Sequence, residues 1–150
     1  KQIEKTKSKL SKNNFCSKRC AAIWNNSHKL SGTRVSKLET WLQARLVEIF
    51  PSLEFHFNRK DAINSELDIY IPSLKLAFEL NGIFHYEPIF GAEKLAATQN
   101  NDERKFQACL ERGIELCIID TNSMKKFTEE KAKKFLFIVS LVIEKLSQTK

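Results

Sequence analysis

The stretch LKLAFELNGIFHYEP, Leu74–Pro88, predicts a strand that ends in a sharp change of direction. Its apolar side chains fall at every second position, the period of a half-buried strand: Leu74, Leu76, Phe78 and Leu80. Glu79 belongs to the opposite face, and Asn81-Gly82 interrupts the pattern shortly before His85. We expect the Asn-Gly pair to turn the chain, so that the histidine returns over the face that carries the carboxylate.

The segments around this strand predict an α/β fold in the order helix, three strands, helix, strand, helix. The second and third strands are expected to form a hairpin that turns at Pro72-Ser73. Residues 87–100 read as a loop, after which Asn100 and Asn101 can cap the second helix. The expected elements are a helix from Val35 to Ile49, strands LEFHF, ELDIYI and LKLAFELN, a helix with Phe106, Cys109 and Leu110 as its apolar side that ends at Gly113, strand IELCII, and an apolar helix from Thr128 to about Leu146 packed on the sheet.

Composition favours one globular domain in a reducing compartment. The 150 residues are 42% hydrophobic, which is enough for a core, and no apolar run reaches membrane-spanning length. The N-terminus lacks the apolar segment of a secretory signal, and the four cysteines do not suggest a disulfide framework. We therefore expect a protein that is not secreted, cytoplasmic in a prokaryote or phage-encoded, or otherwise intracellular.

Positive charge is concentrated at the N-terminus. Residues 1–38 hold ten Lys and Arg against one acid, Glu4, so their net charge is +9. The remaining residues have a net charge of −2, which gives the whole chain +7. A basic arm on a near-neutral body favours contact with double-stranded DNA, although a solvated tail is the alternative. Ser31-Gly32-Thr33 is the best linker, which predicts an arm over 1–33 and a catalytic domain over 34–150. The expected DNA-binding residues are Lys5, Lys7, Lys9, Lys12, Lys18, Arg19, Lys29 and Arg34.

Four acids and one histidine stand where the pattern favours apolar or neutral residues: Glu39, Asp68, Glu79, His85 and Asp102. Glu39 lies on the apolar stripe of the first helix, and Asp68 lies between two apolar strand residues. A turn at Pro72-Ser73 places Asp68 opposite Ala77 and makes Glu79 its diagonal neighbour, about 7–8 Å away. We expect all five to converge where the third strand breaks.

Each of these residues also has a structural interpretation. Asp102, expected in the first turn of its helix, can serve the helix dipole. Glu39 can extend along the helix to solvent, Asp68 and Glu79 can face water on a one-sided sheet, and a lone histidine is more often a packing residue. The functional hypothesis is favoured because the structural interpretation would require every one of these separate explanations to be true at once in one small fold.

Hydrolysis of a phosphodiester is the chemistry that uses such a set. Mg²⁺, or Mn²⁺ in its place, binds one or two carboxylates and a substrate phosphate, and we expect Asp68 and Glu79 to be those ligands. An imidazole titrates near neutral pH and can transfer the proton, which is the role expected of His85.

The segments ELDIYIP, FELNGIFHYEP and NDERKFQACLERGIELCIID resemble the PD-(D/E)xK nuclease superfamily, in its very-short-patch-repair and phage-type homing endonuclease branch. The resemblance covers residues 34–120 and implies a restriction-endonuclease-like core and a Mg²⁺-dependent, site-specific DNA endonuclease. It implies a Glu-Asp-His-Asp motif formed by Glu39, Asp68, His85 and Asp102, with Glu79 as the acid of the third strand. Asn81 stands where the superfamily has a lysine, and His85 is expected to substitute for it.

The segment NNFCSKRCAAIWNN is similar to the second half of a small zinc finger found in such endonucleases. Cys16 and Cys20 would supply two of the four ligands that Zn²⁺ needs, His28 is a weak third candidate, and the other cysteine pair would precede Lys1. Two ordinary buried cysteines are the alternative, and the sequence leaves both open.

Two other functions remain compatible with this pattern. The first is a mismatch- or strand-specific nicking enzyme, because one active site cuts one strand and cutting both would need a homodimer or successive nicks. The second, from a different class, is a non-catalytic nucleic-acid-binding module with the same fold.

Overall fold

The structure, a computed structural model, describes residues 15–27 and 35–150 of a chain that divides into two compact units, Lys1–Arg34 and Val35–Lys150. In the first unit, helix α1 spans Lys18–Ser27 and includes Cys20. Lys18 and Arg19 are exposed on it. The other predicted DNA-binding residues, the linker and His28 lie outside the described residues: Lys5, Lys7, Lys9, Lys12, Lys29, Arg34 and Ser31-Gly32-Thr33.

The second unit has the predicted α/β order of helix, three strands, helix, strand, helix. Its elements are α2 (Lys37–Ile49), β1 (His56–Arg59), β2 (Leu67–Ile71), β3 (Leu76–Asn81), α3 (Ala92–Glu111), β4 (Glu115–Asp120) and α4 (Glu129–Thr149). The strands form a mixed sheet in the order β1-β2-β3-β4, antiparallel except for the parallel pair β3-β4. The long α3 connects the two parallel strands, as a parallel crossover requires.

Apolar cores cover both faces of this sheet. On one face, Phe78 of β3 packs in a large cluster with residues of α2 and α4, among them Leu42 and Phe135. On the other face, Ala77 packs with Cys109 of α3 in a smaller cluster. Because β3 is covered on both sides, a charged side chain on it is removed from water, and Glu79 is only 5% exposed.

The hairpin between β2 and β3 differs from the prediction by two residues. A 3₁₀ turn over Pro72–Leu74 precedes Lys75 in the left-handed conformation (φ 49°), so the turn is longer than Pro72-Ser73 alone. Ala77 therefore pairs with Tyr70 instead of Asp68, and Ile69 pairs with Phe78. A shift of two residues keeps every side chain on its predicted face, but it moves Glu79 from a diagonal position to one directly opposite Asp68.

Helix α3 begins ten residues before the predicted start. The predicted loop is confirmed for residues 87–91, but residues 92–100 are helical, so the rest of that loop and the cap at Asn100 and Asn101 are wrong. Asp102 consequently lies near the middle of the helix, too far from its N-terminus for a favourable interaction with the helix dipole. Of the predicted apolar side, Cys109 is buried, whereas Phe106 and Leu110 are 43% and 63% exposed. The predicted end is confirmed, since Gly113 adopts φ +67° just after the helix.

The remaining boundaries shift less. Strand β1 starts at His56 instead of Leu53, although Leu53 and Phe55 still pack against the large cluster. Thr128 caps α4 as expected, and one face of that helix is buried through Ala132, Phe135, Val139 and Ile143, while its other face remains exposed. Within the described ranges, no helix is both long and apolar enough to cross a bilayer.

Candidate active site

Asp68 and Glu79 meet where the pairing of β2 with β3 ends. The last paired residues are Ile69 and Phe78. Beyond them, Oε1 of Glu79 accepts the backbone N–H of Asp68 at 3.3 Å, and Oδ2 of Asp68 accepts the backbone N–H of Leu80 at 2.8 Å. Each carboxylate is thus fixed by a backbone N–H of the facing strand, and the strands present two acids side by side.

Burial and mutual repulsion disfavour the ionised forms of these acids. Loss of solvent, followed by the nearby charge of Glu79, raises the pKa of Asp68 to about 7, and the charge of Glu39 acts in the same direction. The pKa of Glu79 is also raised, mainly by burial and in part by Asp102, against the opposing effect of Lys105. In the metal-free protein, burial and neighbouring charge therefore favour the protonated form of each acid more than water would.

Glu39 reaches this site from α2 and also stabilises the start of that helix. It is the third helical residue after the cap Ser36, and the two residues form a reciprocal capping box. Its Oε1 accepts a hydrogen bond from the side chain of Asn58 on β1, whose Oδ1 accepts one from Gln43 at 2.9 Å. Glu39 is 9% exposed, so it does not extend to solvent, and hydrogen bonds from Ser36 and Asn58 hold its carboxylate.

His85 and Asp102 form the second pair of the site. Nδ1 of His85 lies 2.7 Å from Oδ2 of Asp102, with both side chains about a quarter exposed. The predicted turn at Asn81-Gly82 is wrong in detail, because Gly82 is extended and a 3₁₀ turn over Ile83–His85 reverses the chain. The side chain of Asp102 fixes which ring nitrogen faces it, which leaves the other for a proton transfer.

Lys105 was missed by the sequence analysis. It lies one turn after Asp102 on α3, and its Nζ donates to Oε2 of Glu79 at 2.8 Å. The signal was present in the spacing, since Lys105 stands four residues before the buried Cys109 and so faces the sheet. Asn58 and Gln43 were missed as well, and nothing in the pattern of β1 distinguished them.

Hydrogen bonds and charge interactions link all five predicted residues. The charge of Glu39 repels that of Asp68, and the backbone N–H of Asp68 donates a hydrogen bond to Glu79. The charge of Asp102 repels that of Glu79, and Asp102 is hydrogen-bonded to His85. A cleft of about 410 Å³ opens beside His85 and Asp102, and Asn81 and Tyr86 also line it. The structure therefore places each predicted residue next to another member of the set.

The donor atoms around Asp68 fit a hard divalent cation. Among the described residues no three His, Cys, Asp or Glu side chains form a ready metal site. Two carboxylates do lie side by side, and Oδ1 of Asn81, two residues after Glu79, is buried without a hydrogen-bond partner in the described part of the chain. Oxygen ligands of this kind suit Mg²⁺ or Mn²⁺, which retain several waters and require few protein ligands.

Cys16, just before α1, and Cys20, in its first turn, are both exposed, so the alternative of two ordinary buried cysteines is wrong. The Sγ atoms of Cys16 and Cys20 lie 3.2 Å apart. A hydrogen bond from Ser17 and then the contact with Cys16 lower the pKa of the Cys20 thiol. Two thiols so close can bind one soft cation, and the zinc hypothesis remains a prediction.

No model of a known protein family matches the chain, and no curated protein matches it either.

Proposed function

We propose that the second unit is a metal-dependent DNA endonuclease with a restriction-endonuclease-like core. The observation that carries the proposal is the pairing of Asp68 with Glu79 beside the hydrogen-bonded His85 and Asp102. Buried acids on directly opposite strand positions, with raised pKa values, are typical of functional sites, because stability alone would favour apolar residues there.

Each residue has a role in this proposal. Asp68 and Glu79 hold Mg²⁺ or Mn²⁺, with Asn81 as a further oxygen donor. When bound, such an ion polarises the phosphate and stabilises the leaving oxyanion. His85 accepts or delivers the proton, while Asp102 orients its ring. Glu39 keeps α2 and Asn58 in place beside Asp68.

DNA is the proposed substrate because of the charge distribution. Residues 1–33 carry seven net positive charges, which can release counterions from a polyanion, whereas residues 34–150 are neutral overall. A DNA substrate and the unpaired thiols favour an intracellular, reducing setting. With one site per chain, cutting both strands requires a homodimer or two successive nicks.

The test is incubation of supercoiled plasmid with Mg²⁺ or Mn²⁺, followed by separation of nicked and linear products. We expect cleavage that EDTA abolishes and that Asp68→Asn removes. Nicked product that persists indicates a strand-specific enzyme, and linear product that appears early indicates paired subunits. A folded protein that binds DNA yet cleaves it with neither metal would refute the endonuclease and leave the binding module.

A further inference from the structure

Lys105 is the single cation hydrogen-bonded to the site carboxylates among the described residues. Its Nζ contacts Oε2 of Glu79 at 2.8 Å, and the two side chains are 13% and 7% exposed. Glu39, Asp68 and Asp102 supply three further acids nearby. One ammonium therefore offsets part of a charge that would otherwise be uncompensated in a water-poor setting.

The ammonium occupies an oxygen that a metal ion would also need. Oε1 of Glu79 is already engaged by the N–H of Asp68, so Oε2 is the oxygen left for a ligand, and Lys105 holds it. A cation and an ammonium cannot both take the same lone pairs at close range without repulsion. Lysine is a compact charge on a flexible four-carbon stem, so it can leave Glu79 while its helix stays in place.

We infer that Lys105 is a tethered counter-ion that holds Glu79 in the metal-free protein, yields that carboxylate to the metal, and then contacts the substrate phosphate. This inference rests on the proposed function for its last step, because only a phosphate substrate gives the released ammonium an anionic partner. The exchange itself concerns metal binding and does not depend on cleavage.

The exchange has a signature that a structural ion pair lacks. Removing the ammonium without changing the length of the side chain removes a competitor and adds one net negative charge, so metal binds more tightly. The same change removes a positive charge from the bound phosphate, so cleavage slows. A purely structural pair would weaken both when broken, because the site would lose its shape.

The experiment compares Lys105→Met and Lys105→Arg with a matched control, Lys133→Met, an exposed lysine on α4 at the other face of the sheet. Calorimetric titration with Mn²⁺ in the absence of DNA measures affinity, and plasmid cleavage at saturating Mn²⁺ measures rate. For Lys105→Met we expect about tenfold tighter Mn²⁺ binding and cleavage slower by about 10²-fold. Lys105→Arg should retain near wild-type affinity, and the control should change neither quantity.

Unchanged or weaker Mn²⁺ binding by a folded Lys105→Met protein overturns the exchange, whether or not the wild type cleaves DNA. Tighter binding with undiminished cleavage overturns the contact with phosphate. If Lys105→Met does not fold, Lys105→Gln decides, because it also removes the charge: tighter Mn²⁺ binding supports the exchange, and unchanged or weaker binding overturns it. Failure of the wild type to cleave any DNA would refute the proposed endonuclease, and the Mn²⁺ titrations would still decide the exchange.

Discussion

The carboxylate of Glu79 accepts the backbone N–H of Asp68 across two antiparallel strands, at 3.3 Å. Asp68 in turn accepts the N–H of Leu80, so the strands themselves fix both acids. A site built on strand ends is held more precisely than one carried on loops. Substitutions that preserve the hydrogen-bond acceptor should therefore change chemistry without disturbing the fold.

Asp68→Asn is the first such substitution. Its amide oxygen can still accept the N–H of Leu80, but it cannot bind Mg²⁺ as a carboxylate does. We expect cleavage to fall by about 10³-fold or more, while DNA affinity and secondary structure are retained. Plasmid cleavage and circular dichroism measure these quantities, with the exposed Asp61→Asn as control. Near-normal cleavage by the folded variant would remove Asp68 from the site.

The stability of the metal-free protein should fall as the pH rises. The pKa of Asp68 is raised to about 7, so between its unfolded value near 4 and pH 7 the folded state binds more protons than the unfolded state. Stability is therefore greatest below pH 4 as far as this group is concerned, and it declines up to about pH 7. Denaturant unfolding at pH 5.5 and 8 should show the decline, Asp68→Asn should reduce it, and added Mn²⁺ should reverse it. An identical slope in wild type and variant would contradict the raised pKa.

His85→Ala should slow cleavage by about 10²–10⁴-fold, because a positioned proton donor or acceptor is lost. Mn²⁺ affinity, measured by titration without DNA, should stay within about threefold of wild type, since His85 is not a proposed ligand. Asp102→Asn should slow cleavage less, because the ring remains but is oriented less well. Full activity of His85→Ala from pH 6 to pH 9 would make the histidine structural.

Ser36→Ala and Glu39→Gln separate the role of Glu39 in capping α2 from the effect of its charge on Asp68. Loss of the capping hydroxyl should reduce the free energy of unfolding by about 1 kcal/mol, with cleavage nearly unchanged below the melting temperature. Glu39→Gln keeps an acceptor for Asn58 but removes a charge close to Asp68, so it should lower the pKa of Asp68 as well. If both variants lose cleavage only in proportion to unfolding, Glu39 acts solely as a cap.

Removing residues 1–33 should weaken DNA binding and flatten its dependence on salt, because most of the excess positive charge leaves with them. Helices α2 to α4 and the sheet belong to the other unit and should still fold. Affinity measured at several salt concentrations decides the point. A salt slope equal to that of the full chain would mean that the body contacts the phosphates.

Alternation and helical phase predicted the faces of the site residues correctly. Phe78 and Glu79 lie on opposite sides of β3 because the side-chain period of a strand does not depend on where its hairpin turns. The register did depend on the turn, and Lys75 adopts a left-handed conformation that its residue type does not signal. The start of α3 was missed because its first turns are polar and largely exposed, which periodicity cannot distinguish from a loop.

The early start of α3 places Asp102 and Lys105 on one continuous helix, three residues apart and on the same side. The same helix thus carries Asp102, which is hydrogen-bonded to His85, and Lys105, which is hydrogen-bonded to Glu79. Any rotation of α3 moves Asp102 and Lys105 together, so the histidine pair and the strand acid cannot shift independently. A single residue inserted between positions 102 and 105 would turn one of them about 100° away, and no compensating change in the sheet could restore both contacts.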